Sequence, residues 1–490
     1  RNHLTGSPGE IVAGRRADSR RDALLGCLVV QRLVDRMMHN QVVGPTGQGK
    51  TTLLLNLAVQ DLGLGLTVFV METGGDLGER LIPYARALGR PVFNFDLGAQ
   101  DSWKWNPLAG DPERAAEQAV STMMIAGASN DDFFKNFNAA VMRRMVFAAH
   151  AHGEWKGVNP TLGLVDELLT DERFMNDALG VVRDGGGGGR KRRDYDEPVT
   201  LNNPCLTPDT KRWFEKRWFG IWGRRQRSEF TSGLQASLDM VLGRRLVKSA
   251  LSPTEGERHV DMGAALSSGG LVLFRMPQGP VGPAASRALA LWVLQRFQQE
   301  VLDRGRSAYP VIAYLDEVHN TLGHANEAAA TDFSSWLAQA RHFNTGVYLS
   351  YQSFEMLPPV LKAVVANNAH NKFVSGGLDP HDATEAQAMM GFVEQEVTDV
   401  RHTRRPLTLH PSTVSVGKRE QEKARYSVWE IREIPRGSWL VQLVRNGRLQ
   451  APTLMTAPLA PPVPRRRTRR GWGSPRRGGT PTTPQSQPDA

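Results

Sequence analysis

Short apolar runs punctuate the chain, most of them running into a polar residue. Gln41–Val43, Leu66–Met71, Pro91–Asp96, Gly270–Met276, Pro310–Leu315, Thr345–Tyr351 and Asn371–Ser375 lack strict apolar–polar alternation. Such runs read as strands buried on both faces, the habit of a parallel sheet. Helical spacing separates them, over about Leu77–Leu88, Ala284–Arg304, Glu327–His342, Pro359–Asn368 and from Asp379-Pro380 to Gly391. Strand, helix and strand in succession give a βαβ pattern.

From Trp105 to about Ser249 the pattern changes to helices with almost no strands. Asp111-Pro112 is a helix start, with Asp as the cap and Pro at the first position. Helices are expected over Asp131–His150, Thr161–Leu169, Asp171–Val182, Lys211–Arg227 and Ser228–Leu246. Within Lys211–Arg227, Trp213, Phe214, Trp218, Ile221 and Trp222 share one helical face, which favours a core helix over a DNA-stacking surface. Gly185–Gly189, followed by Arg190–Arg193, reads as a mobile loop.

Residues 1–22 are polar and Arg-rich and are expected to be poor in strands, with Ala23–Met38 helical or mixed. Near the end, Asn446-Gly447 between Trp439–Val444 and Arg448–Met455 signals a hairpin. Pro458 onward is rich in Pro, Arg, Gly and Thr and is expected to be disordered. The division that follows is a lead-in (1–39), an α/β nucleotide-binding part in two pieces (40–104 and 256–458), an all-α insertion (105–255) and a basic tail (459–490).

At 490 residues, 40% hydrophobic and 22% charged, the chain has the composition of a soluble globular protein with two or three domains. Arg465–Ala490 holds seven arginines and one aspartate, so six of the ten net positive charges sit in the tail. Bulk charge therefore does not mark the folded part as a DNA-binding core. No apolar run approaches a membrane-spanning length, although the chain starts at Arg1 and that absence carries little weight. Cys27 and Cys205 have no metal-like spacing and read as buried thiols. His319 has no ligand-spaced partners.

Candidate chemistry begins at Gly44-Pro45-Thr46-Gly47-Gln48-Gly49-Lys50-Thr51-Thr52, a complete G-x-x-x-x-G-K-[ST] loop between a strand and the apolar helix Leu53–Ala58. Glycines there turn backbone N–H groups inward, and the helix start adds partial positive charge, so phosphates bind. Lys50 is expected to reach the β- and γ-phosphates of ATP, and the Thr51 hydroxyl to ligate Mg²⁺. The partner carboxylates are Asp316, on the Mg²⁺ shell, and Glu317, set to orient or deprotonate the attacking water. Because 266 positions separate Lys50 from Asp316, an insertion must lie between them. Glu72 and Gln352 also fall at strand ends, where ligands bind in open parallel sheets; Gln352 is a γ-phosphate sensor candidate. Arg341 closes a helix. Spacing alone does not prefer an arginine finger there over a residue answering the helix dipole.

Gly44–Thr52, Trp105-Asn106-Pro107-Leu108, Phe133-Phe134, Leu271–Pro277, Leu315-Asp316-Glu317 and Arg341–Gly346 with Gln352-Ser353 come in an order that resembles the type IV secretion coupling proteins. These are the TraG/TraD-like conjugative DNA-transfer ATPases of the FtsK/HerA superfamily, and the resemblance spans roughly residues 40–458. It implies a RecA-like domain with an all-α domain, a homo-hexamer, and ATP-driven movement of DNA (a single-stranded transfer strand with its relaxase) toward the secretion channel. It also implies a place in the bacterial cytoplasm or at the cytoplasmic face of the inner membrane, with Arg341 as a trans-acting finger and Gln352 as the sensor. The chain departs from the family at Glu72-Thr73-Gly74-Gly75-Asp76, where members often carry Asp-Pro-Lys-Gly-Asp. Two other readings stay open: a nucleotide-binding recruitment platform for protein cargo, and a HerA/FtsK-type chromosomal DNA motor.

Overall fold

The structure, a computed structural model, describes residues 10–17, 27–126, 132–183, 199–306, 309–323, 327–403 and 413–464. Its centre is an eleven-stranded sheet. In chain order the strands are β1 (Glu10–Arg16), β2 (Leu28–Arg32), β3 (Asn40–Val43), β4 (Thr67–Glu72), β5 (Val92–Asp96), β6 (Leu271–Arg275), β7 (Val311–Leu315), β8 (Thr345–Tyr351), β9 (Asn371–Ser375), β10 (Ser438–Gln442) and β11 (Thr453–Thr456). Across the sheet they run β2-β1-β11-β10-β9-β3-β8-β7-β4-β6-β5. From β9 to β5 every pairing is parallel; from β9 to β2 every pairing is antiparallel.

The parallel strands are apolar along their whole length because two cores cover them. Val42, Val68, Val70 and Ile312 face one core, built with helices α1 (Lys50–Leu64) and α2 (Leu77–Ala87). Their neighbours Val43, Phe69, Met71 and Ala313 face the other. Alternate residues of a strand point to opposite faces, so continuous apolarity is what a doubly covered sheet requires. The second core continues without a break into the insertion, through Trp105, Met142, Leu162 and Leu238.

The insertion is built from α3 (Pro112–Ala126), α4 (Asp132–Lys156) and α5 (Arg224–Leu242) with shorter helices between them. Thr161 and Asp171 cap the helices Leu162–Thr170 and Glu172–Leu179 with their side chains, as small polar residues at such positions do. A three-residue hairpin, Val181–Arg183 with Val199–Leu201, is the insertion's β-structure among the described residues. Phe214 and Trp218 are buried, and Trp213, Trp218 and Trp222 pack ring to ring, so the core reading of that face holds for the aromatics. Ile221 does not follow: the regular helix ends at Trp213, a wider π turn carries Phe214–Trp218, and Ile221 comes out 67% exposed.

The amino-terminal segment corrects its expectation. Rather than being poor in strands, residues 1–22 supply β1, which closes onto β11, more than 430 positions away, while Ala23–Met38 is mixed as expected, with β2 followed by the short helix Leu33–Arg36. Asn446 and Gly447 both adopt positive φ, the geometry of a tight hairpin turn between Val444–Arg445 and Arg448–Leu449. A long ribbon, Phe392–Thr403 with Thr413–Ala424, was not expected from the sequence. The expected disorder from Pro458 does not hold for the first tail residues: the Tyr84 hydroxyl donates to the Pro461 carbonyl at 2.7 Å, and Ala460 packs against the core. The loop expected at 185–193 and the tail from Arg465 lie outside the described residues. Among those described, no helix is long and apolar enough to cross a membrane.

Candidate nucleotide site

Every strand end that carries candidate chemistry reaches the same rim of the sheet. Gly44–Gly49 links β3 to α1, Glu72 is the last residue of β4, Asp316 and Glu317 follow β7, and Gln352 follows β8. Register places these strands side by side, since Tyr348 pairs with both Asn40 and Tyr314, and Leu315 pairs with both Leu349 and Met71.

The loop is locally determined. Gly47 and Gly49 sit at φ +86° and +101°, which favour glycine. At Gly44 a Cβ would lie 2.0 Å from the Ser375 Oγ, so the first glycine is needed for close packing against β9. Lys50 and Thr51 begin α1, so backbone N–H groups with no partner in the helix face outward there. Thr46 and Gly47 are exposed at the tip, while Pro45, Gln48, Thr51 and Thr52 are half-buried. The Lys50 ammonium donates to the carbonyls of Gly44 (2.5 Å) and Pro45 (3.3 Å). Burial lowers its pKa, and the charges of Asp316 and Glu317 act in the opposite sense, so Lys50 shares its surroundings with both carboxylates.

Asp316 is 4% exposed and accepts from the Glu317 backbone N–H at 3.1 Å. Burial raises its pKa, Glu317 adds to the rise, and the Ser350 hydroxyl and Lys50 offset part of it. Glu317 is held at φ +51°, a left-handed conformation that costs a non-glycine residue energy and recurs at functional sites. Its carboxylate accepts from Gln352 Nε2 (3.0 Å) and Asn320 Nδ2 (3.1 Å), which fix where it points. Glu72 is 1% exposed; burial, then Asp316, push its pKa up to about 8.

Gly74 and Gly75 lie against these carboxylates. A Cβ at Gly74 would come within 3.0 Å of Glu317 Oε2; one at Gly75 would be 3.0 Å from Asp316 Oδ2 and 3.1 Å from Glu72 Oε2. The two glycines let this chain's backbone press onto the acids. Its nearby cation is Arg275, at the end of β6, with Nε 3.4 Å from Glu72 Oε1, Nη1 3.3 Å from Asp96 Oδ2, and a hydrogen bond to the Gly75 carbonyl.

Sequence reasoning missed Arg275, Ser350 and Asn320. The first had a signal, a lone charge inside the apolar run Leu271–Met276. Arg341 is not brought to this rim. It is exposed at the opposite edge, before β8, where its charge is felt by His39 and His370.

The donor set suits a hydrated divalent cation beside phosphate: the buried Asp316, the Thr51 hydroxyl and loop N–H groups. Among the described residues no three His, Cys, Asp or Glu side chains gather to hold a metal alone. Mg²⁺ needs none, because it keeps waters and takes substrate oxygens. The Gln48 Oε1 and Thr73 Oγ1 atoms are buried around the loop and rim with no hydrogen-bond partner in the protein, polar groups for which a bound ligand would account.

No family model and no curated protein matches the chain. Solved structures do. The plasmid coupling protein TrwB in complex with the non-hydrolysable ATP analogue ADPNP aligns with a TM-score of 0.57 at 15% identity, covering 93% of this chain and 90% of that one. TrwB in complex with ADP and Mg²⁺ gives 0.58 at 14%, covering 88% and 87%. The chain has the fold of the coupling protein TrwB. VirB4 of Thermoanaerobacter pseudethanolicus shares that fold at a TM-score of 0.52 and 13% identity, over 94% of this chain and 99% of that one. The expected α/β architecture, a mostly parallel sheet with helical additions, is thus borne out along nearly the whole chain, where sequence identity alone is too low to report it.

Proposed function

We propose that the protein is an ATP-hydrolysing motor that moves DNA toward a type IV secretion channel. The observation that carries the reading is the geometry at Glu317. A strained backbone and two side-chain amides, Gln352 and Asn320, fix its carboxylate where its charge, like that of Asp316, acts on Lys50. A carboxylate held in this way is suited to orient a water and take its proton.

When bound, Mg·ATP supplies the anhydride to be cleaved and the charge that the buried acids answer. Gly44–Thr52 cradles phosphate through backbone N–H groups, and Lys50 exchanges its two loop carbonyls for phosphate oxygens. Thr51 and Asp316 hold the cation's shell. Gln352 reports on the site through its bond to Glu317. Arg341, exposed at the far edge of the sheet, acts on the site of the next protomer in a homo-hexamer. The chain's partners are a single-stranded transfer strand with its relaxase and the channel components, at the cytoplasmic face of the inner membrane. The all-α insertion (105–255), between the two nucleotide-binding pieces, and the basic tail add surfaces for them.

The test is the ATPase rate with single- and double-stranded DNA, wild type beside Glu317→Gln and Arg341→Ala. The motor reading expects stimulation by DNA, loss of turnover in both variants, and loss only in trans when Arg341→Ala subunits are mixed with wild type. A rate indifferent to DNA in a protein that stays monomeric with nucleotide would contradict it.

A further inference from the structure

Beneath the rim lies a second polar layer, completely buried. Arg36 grips Asp61 with two parallel bonds, Nη1 to Oδ1 at 2.6 Å and Nη2 to Oδ2 at 2.5 Å, and both side chains are 0% exposed. Arg36 Nε donates to the Tyr348 hydroxyl at 2.9 Å, and the Tyr314 hydroxyl donates to Asp61 Oδ2 at 2.6 Å. Tyr348 in turn donates to Gln31 Oε1 (2.9 Å), and Gln31 Nε2 to Asn40 Oδ1 (3.0 Å). The two tyrosine rings stack at 4.8 Å with 6° between their planes.

The members of this layer are placed where they can set the rim. Asp61 is on α1, which begins with Lys50 and Thr51. Tyr314 is on β7, two residues before Asp316. Tyr348 is on β8, two before Ser350 and four before Gln352. Alternation puts Tyr314 on the same face as Asp316, and Tyr348 on the same face as Ser350 and Gln352. Thus α1, β7 and β8, which carry or lead into Lys50 and Thr51, Asp316 and Gln352, each deliver a side chain to this network too. The apolar contacts that hold α1 on the sheet are non-directional. The two-pronged Arg36–Asp61 bond allows one axial position, since a planar fork is satisfied in one geometry. Gln31 lies on β2 and Arg36 on the segment that leads from β2 to β3, so the amino-terminal strands reach the site through the same bonds.

We infer that Arg36, Asp61, Tyr314 and Tyr348 are positioning residues for the nucleotide site, fixing Lys50 and Thr51 on α1 in register with Asp316 and Gln352 on the neighbouring strands. The inference rests on the ATPase reading and specifies what aligns its two halves. A layer that only stabilises the fold would change the melting temperature. A layer that sets register changes the benefit Mg²⁺ brings, because triphosphate alone is held by the loop while the cation must meet residues from both α1 and β7.

The experiment measures affinity for a fluorescent ribose-labelled ATP with Mg²⁺ and with EDTA, together with turnover and thermal unfolding. It compares wild type with Arg36→Met/Asp61→Met, in which the pair is replaced as a whole so that no lone charge stays buried, and with Tyr348→Phe, a single hydroxyl removed in case the first fails to fold. The expected result is affinity in EDTA within about twofold of wild type, loss of most of the Mg²⁺-dependent gain, and turnover down by about 10- to 100-fold, the scale of a misplacement near 1 Å. Turnover and Mg²⁺ gain equal to wild type in a folded variant, or affinities falling equally with and without Mg²⁺, would overturn the inference while the ATPase reading stood. A wild type that binds no nucleotide overturns both.

Discussion

At the rim, Glu72 and Asp316 are buried carboxylates whose pKa values are pushed up by burial and by neighbouring acids, with Lys50 and Arg275 at hand but neither in a close two-pronged pair with them. One layer down, Asp61 is buried as deeply and is fully answered by Arg36 and Tyr314. The two layers share α1, β7 and neighbouring strands, yet one is left short of positive charge and the other is closed. A buried carboxylate without a matched partner costs energy until a cation arrives, whereas a closed network resists rearrangement. The difference teaches where ligand chemistry belongs: at the layer whose electrostatics are completed from outside.

The comparison breaks most visibly at Glu317. Glu317→Gln keeps the side chain's shape and one accepting oxygen for Gln352 or Asn320 but removes the base, and turnover should fall by about 10²- to 10⁴-fold with ATP affinity retained, read by steady-state hydrolysis beside equilibrium binding. Next comes the closed layer. Arg36→Met alone strands Asp61 and should cost about 3–5 kcal/mol in denaturant unfolding, whereas Arg36→Met/Asp61→Met should recover most of that loss. Equal losses in the single and double variants would show that the layer is not a matched pair. At Gly75→Ala the new methyl meets Asp316 and Glu72 at about 3 Å, so a loss of about 1–3 kcal/mol and weaker Mg²⁺ dependence are expected.

The smallest effect is a slope. Glu72 has a folded pKa of about 8 against 4.5 when exposed, so between those values the native state binds the extra proton. The stability linked to Glu72 is intact below about 4.5 and drains away as pH rises toward about 8. Glu72→Gln should flatten the pH dependence of the melting temperature across that window. An unchanged slope would remove Glu72 from the rim's uncompensated charge.

How much of this was legible in the sequence follows from how local each signal is. Thr345–Tyr351 and Asn371–Ser375 appear in the fold as read, because central parallel strands are apolar on both faces and declare themselves without partners. The glycine loop and the acids after β7 were legible through spacing and strand ends. β1 was not: Glu10–Arg16 ends in two arginines, shifts register between Val12 and Gly14, and owes its state partly to β11 at the other end of the chain. The ribbon Phe392–Thr403 was hidden by charge, since its residues never settle into a simple apolar–polar alternation. Arg36 and Asp61 look like ordinary surface charges in one dimension. Their burial is a property of the pair, and their partners come from β7 and β8, hundreds of positions away.

The account rests on Lys50 and Asp316 acting on one bound Mg·ATP, and a double-mutant cycle reads that directly. With Mg·ATP affinity measured for wild type, Lys50→Ala, Asp316→Asn and the double variant, the two losses should be non-additive by at least about 1 kcal/mol. Losses that sum to within about 0.5 kcal/mol, the behaviour of sites that do not meet, would contradict it.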